Sequence, residues 1–336
     1  MKEGIGVLLL FFNKVETTGL VLERILEAKP SVLLLAQDGA REGNAHDEKA
    51  VPECRKRVEE LLAGIDWPCE IYRNYAEKNM SCDPREYSAI SWAFGIVDKL
   101  IILEDDCLCS SSFFPFMEEL LLRYEKDERI GMICGMERFG RNPYCKDSYY
   151  FTQACSGCGW ATWKRCWDDV ERIAKDYDYL DDADLTQKVD DYVKECCLKV
   201  YRDYIPKAAK NREDNRTTGS IQSWEFAQSA AMIMESRLAI NPMVNLVKNI
   251  GMVPGATHSG NDIRTIPKRY RRIFENDNLE LEFPLRHPLY IIRDVKYEQM
   301  HDRTYAINEF QKWKDDIEHT VSYTHLRAHE TLMNLV

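Results

Sequence analysis

Three short apolar runs, residues 7–12, 32–35 and 100–103, punctuate the first hundred residues, and 69–73 reads as a further strand. Between them lie stretches whose apolar positions repeat at helical spacing. Thr17 or Thr18 can cap a helix carrying Leu20, Leu22, Ile25 and Leu26 that closes near Pro30. Residues 47–62 form a charge-rich amphipathic helix, and Pro84 opens another to about residue 97. Strand and helix alternating four times at short spacing predicts an α/β chain: a doubly wound, mostly parallel sheet, Rossmann-like, with helices on both faces. The runs are apolar throughout rather than alternating, as strands buried on both faces should be. Right-handed crossovers then bring the residues just past each strand, Lys14, Asp38 and the triplet Glu104, Asp105 and Asp106, to one edge.

That edge is where open α/β sheets bind ligands. The triplet stands in LIILEDDC, residues 100–107, and hard carboxylate oxygens suit Mg²⁺ or Mn²⁺ holding a diphosphate. A solvated acidic turn is the competing reading of the triplet taken alone. Further along, residues 113–124 read as a helix, 130–134 and 148–153 as strands, and 157–160 as a glycine-rich loop followed by Trp163 and Trp167. Residues 168–215 are strongly charged and helical in pattern, 222–234 form a helix, and 240–260 read as a long turn-rich loop.

Totals narrow the classes. The 336 residues, 45% hydrophobic, suffice for a substantial core, and a net charge of −11 argues against a nucleic-acid partner. No window reaches the roughly 20 apolar residues of a membrane span, and 5–12 reads as a first strand rather than a signal core. A cytoplasmic protein is expected, with peripheral membrane contact left open. The twelve cysteines do not pattern as a disulfide framework, and Cys155 and Cys158 form a lone C-x-x-C without the second pair a structural zinc site wants. The tail from Val321, VSYTHLRAHET, looks like a translated sequencing adapter, so 321–336 are set apart as artefact.

The order FFNK, LAQDGAR, IILEDDC, GCGWATW, SWEFAQ, NLVKNIG and ATHSG resembles the GT-A glycosyltransferases, and among them bacterial sugar-nucleotide transferases of the N-acetylglucosaminyltransferase I type. The resemblance spans about residues 5–260. It implies a GT-A domain over 1–260, with a C-terminal helical extension over 261–320 on the acceptor side. It also implies a nucleotide-diphosphate sugar as co-substrate and a saccharide or lipid-linked saccharide as acceptor. By the same resemblance Asp106 is the metal ligand, Glu104 and Asp105 face ribose and sugar, Lys14 meets phosphate and Asp38 meets the base. The family's histidine near uracil has no counterpart here, which leaves the base open. Glu225 falls where relatives carry the general base, as Glu where many have Asp. An acceptor hydroxyl needs one carboxylate to take its proton, and an ordinary exposed helix residue is the alternative. His258 is a second candidate for the metal, or simply a hydrogen-bonded loop histidine. Trp160, Trp163 and Trp167 are candidates for stacking on a sugar or for the core. The implied function is a metal-dependent, inverting sugar transfer. A sugar nucleotidyltransferase or a non-catalytic carbohydrate-binding protein are the alternatives.

Overall fold

The computed structural model describes residues 4–175, 183–202, 204–219, 221, 223–252, 263 and 266–306. His258 and the tail from Val321 lie outside them, so the expectations placed on those residues have no structural counterpart below.

The predicted alternation forms as read. Strand β1 (Ile5–Phe11) leads into helix α1 (Val15–Glu27), β2 (Val32–Gln37) into α2 (Ala45–Leu62), β3 (Glu70–Tyr75) into α3 (Cys82–Phe94), and then comes β4 (Lys99–Glu104). These four pair in parallel in the order β3-β2-β1-β4, with Leu10 beside Glu104 and Phe11 beside Gln37. After β4 the chain adds β5 (Cys107–Cys109), α4 (Phe113–Arg123), β6 (Ile130–Cys134), β7 (Tyr149–Thr152) and β8 (Trp160–Trp163). Helices α5 (Lys164–Lys175), α6 (Ala183–Cys196), α7 (Tyr204–Thr218) and α8 (Trp224–Met234) follow, then β9 (Leu238–Pro242) and β10 (Val247–Asn249). Helices α9 (Lys268–Glu275) and α10 (Val295–Tyr305) close the described chain. The main sheet has eight strands, β3-β2-β1-β4-β8-β6-β9-β7, with β8 and β7 antiparallel to their neighbours. This is the predicted α/β class, with a mostly parallel sheet between two helical layers.

Each face of the sheet has its own core. On one, Val7, Leu9, Leu33 and Leu35 meet Leu22 and Ile25 of α1, Val58 of α2 and Phe113, Phe116 and Leu120 of α4. On the other, Leu8, Leu10, Leu34 and Ile102 meet Ile90 and Ala93 of α3, Trp167 of α5 and Trp224 of α8. Alternate residues of one strand serve opposite layers, which is why the runs carry no polar positions.

Two local expectations need correction. Helix α1 starts at Val15 with Lys14 in the N-cap position, so Thr17 and Thr18 sit inside the helix, buried, rather than capping it. The stretch 240–260 is not simply a loop. Pro242 ends strand β9, and Val247, Lys248 and Asn249 pair antiparallel with Cys109, Leu108 and Cys107. After residue 260 the described residues include two helices, α9 and α10. Between them Pro284 and Pro288, which cannot donate a helical N–H, lie on an irregular segment that folds back: Glu280 accepts from the Ser111 and Ser112 amides at 3.1 and 2.8 Å.

Candidate active site

From β1 the chain moves outward to β2 and β3, then returns past β1 to β4. The carboxyl ends of β1 and β4 therefore flank a topological switch point, where a crevice opens in sheets of this kind. Lys14 and the acid triplet occupy that point. The Lys14 ammonium donates to Asp105 Oδ1 and Asp106 Oδ2, each at 3.0 Å, and all three side chains are largely buried. A cation at a helix N-terminus opposes the helix dipole; the two carboxylates offset that cost. Burial disfavours the charged ammonium, but Asp105 and Asp106 outweigh it and hold its pKa above the usual lysine range.

The three acids are not equivalent. Asp105 turns inward, where its second oxygen accepts the Phe12 amide at 3.1 Å, tying the exit of β4 to that of β1. Burial, opposed by Lys14, pushes its carboxyl up to about 6. Glu104 is raised well above the carboxylate range by burial, then by the nearby Glu86. Glu86, on α3, is pushed up to about 7 by burial, and it accepts the Trp224 indole N–H at 2.7 Å and the Cys82 thiol at 2.9 Å. Asp106 is the outermost member. Its carbonyl accepts the Ile250 amide at 2.8 Å, and Gly251 lies so close that any Cβ there would collide with Asp106 Oδ2. The Asn249 amide approaches its other oxygen at 3.5 Å and itself accepts the Gly251 N–H at 2.8 Å.

Asp38 lies past β2 on the same edge, and its carboxylate is engaged by protein donors. It accepts from the Gly39 and Met80 amides at 2.8 and 2.9 Å and from the Asn79 side chain at 2.9 Å. Burial raises its pKa despite these bonds. Gly39 is required there, since a Cβ would run into the Lys78 backbone. Asn13, next to Lys14, donates to buried Asp47 at 2.8 Å, and Arg41 grips the same carboxylate, so FFNK and LAQDGAR brace one another.

Glu225 stands in the first turn of α8, exposed, with Oε1 turned toward Gly157 of the glycine-rich loop. The Trp224 bond to Glu86 fixes the start of α8 and thereby the position of Glu225. Trp160 is in β8, not in the loop; it is 1% exposed and stacked on Trp224 with centroids 5.6 Å apart, leaving no face for a sugar. Trp163 and Trp167 are also buried, their N–H groups bound by the Leu121 carbonyl and the Ser91 hydroxyl.

Among the described residues no three His, Cys, Asp or Glu side chains converge as a metal-binding group. A cation carried on phosphates needs only one or two carboxylates, with phosphate and water oxygens completing its shell, and Asp106 meets that minimal requirement. All twelve cysteines are free thiols. No described helix is long and apolar enough to cross a membrane.

Sequence reasoning missed Glu86, which reads as one more charged position on an amphipathic helix. It also missed the supporting parts played by Asn249 and Gly251. NLVKNIG was recognised as a motif, but only its pairing with CLC carries it to Asp106.

No family model matches the chain, and no curated protein matches it. Among solved structures, a TarS 1-349 structure from S. aureus aligns with a TM-score of 0.36 at 11% identity, over 64% of this chain and 73% of that one. A cytidylyltransferase from Leptospira borgpetersenii gives 0.31 at 16% identity, over 51% of this chain and 64% of that one. A 4-diphosphocytidyl-2C-methyl-D-erythritol synthase from Anaerococcus prevotii gives 0.32 at 10%, over 56% of this chain and 85% of that one. Likeness at this level assigns no activity, and the fold stands on the strand order itself.

Proposed function

We propose that the protein is a metal-dependent, inverting glycosyltransferase that moves a sugar from a nucleotide-diphosphate sugar, foremost a UDP-sugar, to a saccharide or other hydroxyl acceptor. The observation that carries this reading is Lys14 bridging Asp105 and Asp106 at the switch point of the sheet, with Glu225 beside the glycine-rich loop. Lys14 offers its ammonium to the donor diphosphate, and the α1 N-terminus behind it favours anions. A divalent cation held by Asp106 and the diphosphate would neutralise charge on the leaving group. Asp38 keeps the 78–81 turn in place beside the base. Glu225 takes the proton of the acceptor hydroxyl as its oxygen bonds to the anomeric carbon; the bond to the diphosphate breaks and its electron pair leaves with the phosphate. Attack opposite the leaving group inverts the anomeric configuration.

A nucleotidyltransferase is the second reading, and one feature counts against it. Only residues 12–14 separate β1 from α1, too few for a glycine-rich loop to wrap a triphosphate. Incubation with a panel of UDP-, GDP- and TDP-sugars and acceptors should release free nucleotide diphosphate. Release of pyrophosphate from a nucleoside triphosphate and a sugar phosphate would sink the transferase reading in favour of the second, and the absence of both would leave a binding protein.

A further inference from the structure

Behind Glu225 the structure holds a cavity of about 130 Å³ lined in part by Arg138, Tyr201, Tyr270, His301 and Tyr305. Four of its buried polar atoms lack partners. The Arg138 Nε has no hydrogen-bond partner, and one of its terminal nitrogens reaches only the Cys155 carbonyl, at 3.4 Å. Among the described residues no carboxylate forms an ion pair with Arg138. Both ring nitrogens of His301 and the Tyr305 hydroxyl are likewise unpartnered, and these side chains are 2% and 3% exposed. Buried donors and charges are normally satisfied, and leaving them unmet is costly. Four such atoms facing one cavity, one of them on a guanidinium, describe a space complementary to something that accepts hydrogen bonds and carries negative charge.

Two acids bear on this. Glu137 precedes Arg138, but its carboxyl accepts from the Phe139 amide and the Tyr150 hydroxyl, and burial pushes it up to about 7, so it is a weak counter-charge. Glu225 at the cavity wall repels an entering anion. Against it stand Arg138 and helix α9, which supplies Tyr270 and carries four basic residues, Lys268, Arg269, Arg271 and Arg272, against the single Glu275. At 130 Å³ the space is well below the roughly 300 Å³ at which ordinary small-molecule pockets begin. It takes one substituent, not a nucleotide.

We propose that this cavity anchors the acceptor by an anionic substituent, a carboxylate or a phosphate, gripped by Arg138 and steadied by Tyr305 and His301, which presents the acceptor hydroxyl to Glu225. The inference rests on the transferase reading for the word acceptor; the anion site itself does not. Bidentate recognition by guanidinium is the strong form of such contacts.

The test is calorimetric titration of the full chain with glucose, glucuronic acid and glucose 6-phosphate, alongside UDP. Both charged sugars, or one, should bind at least about tenfold more tightly than glucose, and the stronger of the two identifies the substituent. Arg138→Gln should abolish that preference, Arg138→Lys should retain part of it, and UDP affinity should be unchanged in both. Should Arg138→Gln not fold, Tyr305→Phe and Tyr270→Ala carry the same test, each lowering charged-sugar affinity several-fold. Equal binding of glucose and the charged sugars, or an anion preference untouched by these variants, overturns the anchor. An anion preference that persists while UDP binds nowhere keeps the anion site and overturns the transferase reading.

Discussion

The two sides of the site are built from different materials. The side holding Lys14, Asp38 and the triplet is made of strand exits, where each side chain sits at the last residue of a parallel strand or within three residues past it. The side holding Glu225 and Arg138 is made of helix starts and connections, drawn from α8, α9, α10 and the segment after β6. On the first side position follows from the sheet and tolerates little movement. On the second it depends on long-range packing, such as the Trp160–Trp224 stack and the Glu86–Trp224 bond. In the proposed transferase the donor meets the first side and the acceptor the second.

The comparison breaks most visibly at Glu225. Glu225→Gln keeps size and polarity but removes the proposed base, and turnover should fall by about 10² to 10⁴ while donor binding stays near wild type. Normal turnover, or retained anomeric configuration by NMR, would deny the second side its chemical role. On the first side, Lys14→Met leaves Asp105 and Asp106 facing each other without their cation. Removing one partner from a buried ion pair costs about 3–5 kcal/mol, so the thermal midpoint should drop by many degrees. An unchanged midpoint would mean that the bridge contributes nothing to the fold.

Asp106→Asn separates ligand binding from stability on that same side. Nucleotide-diphosphate affinity should weaken by about 10- to 100-fold, and a chelator should weaken the wild type comparably while leaving the variant unaffected. Equal UDP binding by both proteins, with and without chelator, would remove the metal from the reading. The smallest expected effect links the two sides. Glu86, pushed up to about 7 by burial, favours its protonated form in the folded state. Its contribution to stability is therefore full below the unfolded value near 4.5 and is lost as pH rises through about 7. Glu86→Gln should flatten the decline in unfolding free energy between pH 5 and 7.5, by about 1–2 kcal/mol. An identical pH profile in the variant would show that Glu86 does not titrate in that window.

Legibility in the sequence follows the same division. Parallel strands buried on both faces must be apolar without interruption, so β1, β2 and β4 announce themselves, and the acids after β4 with them. Three-residue β10 buries only Val247 fully and exposes too short a pattern to read. The register of α1 was misplaced because threonines resemble caps, whereas its actual N-cap position is held by a lysine committed to the acids. Trp160 misled for a different reason. A tryptophan after a glycine-rich loop looks available for stacking, and only the packing of α8 on the sheet, which stacks Trp224 on it, shows that it is covered. Arg138 carried no signal, since an arginine after a strand reads as solvated until the rings around it are in place.

The β5–β10 ribbon has a consequence for how the site comes into being. The acid turn is held by Ile250 and Gly251, more than a hundred residues downstream of Asp106. Closing so long a loop is entropically slow, and contacts of high sequence separation form late. Strands β1, β2 and β3 pair through single-helix crossovers and can assemble while the ribbon is still open. The sheet should thus exist before the site does, with Asp106 completed by one of the last segments to dock. In pulse-labelled hydrogen exchange during refolding, the Ile250 amide should gain protection after those of β1; simultaneous protection would mean that fold and site arrive in one step.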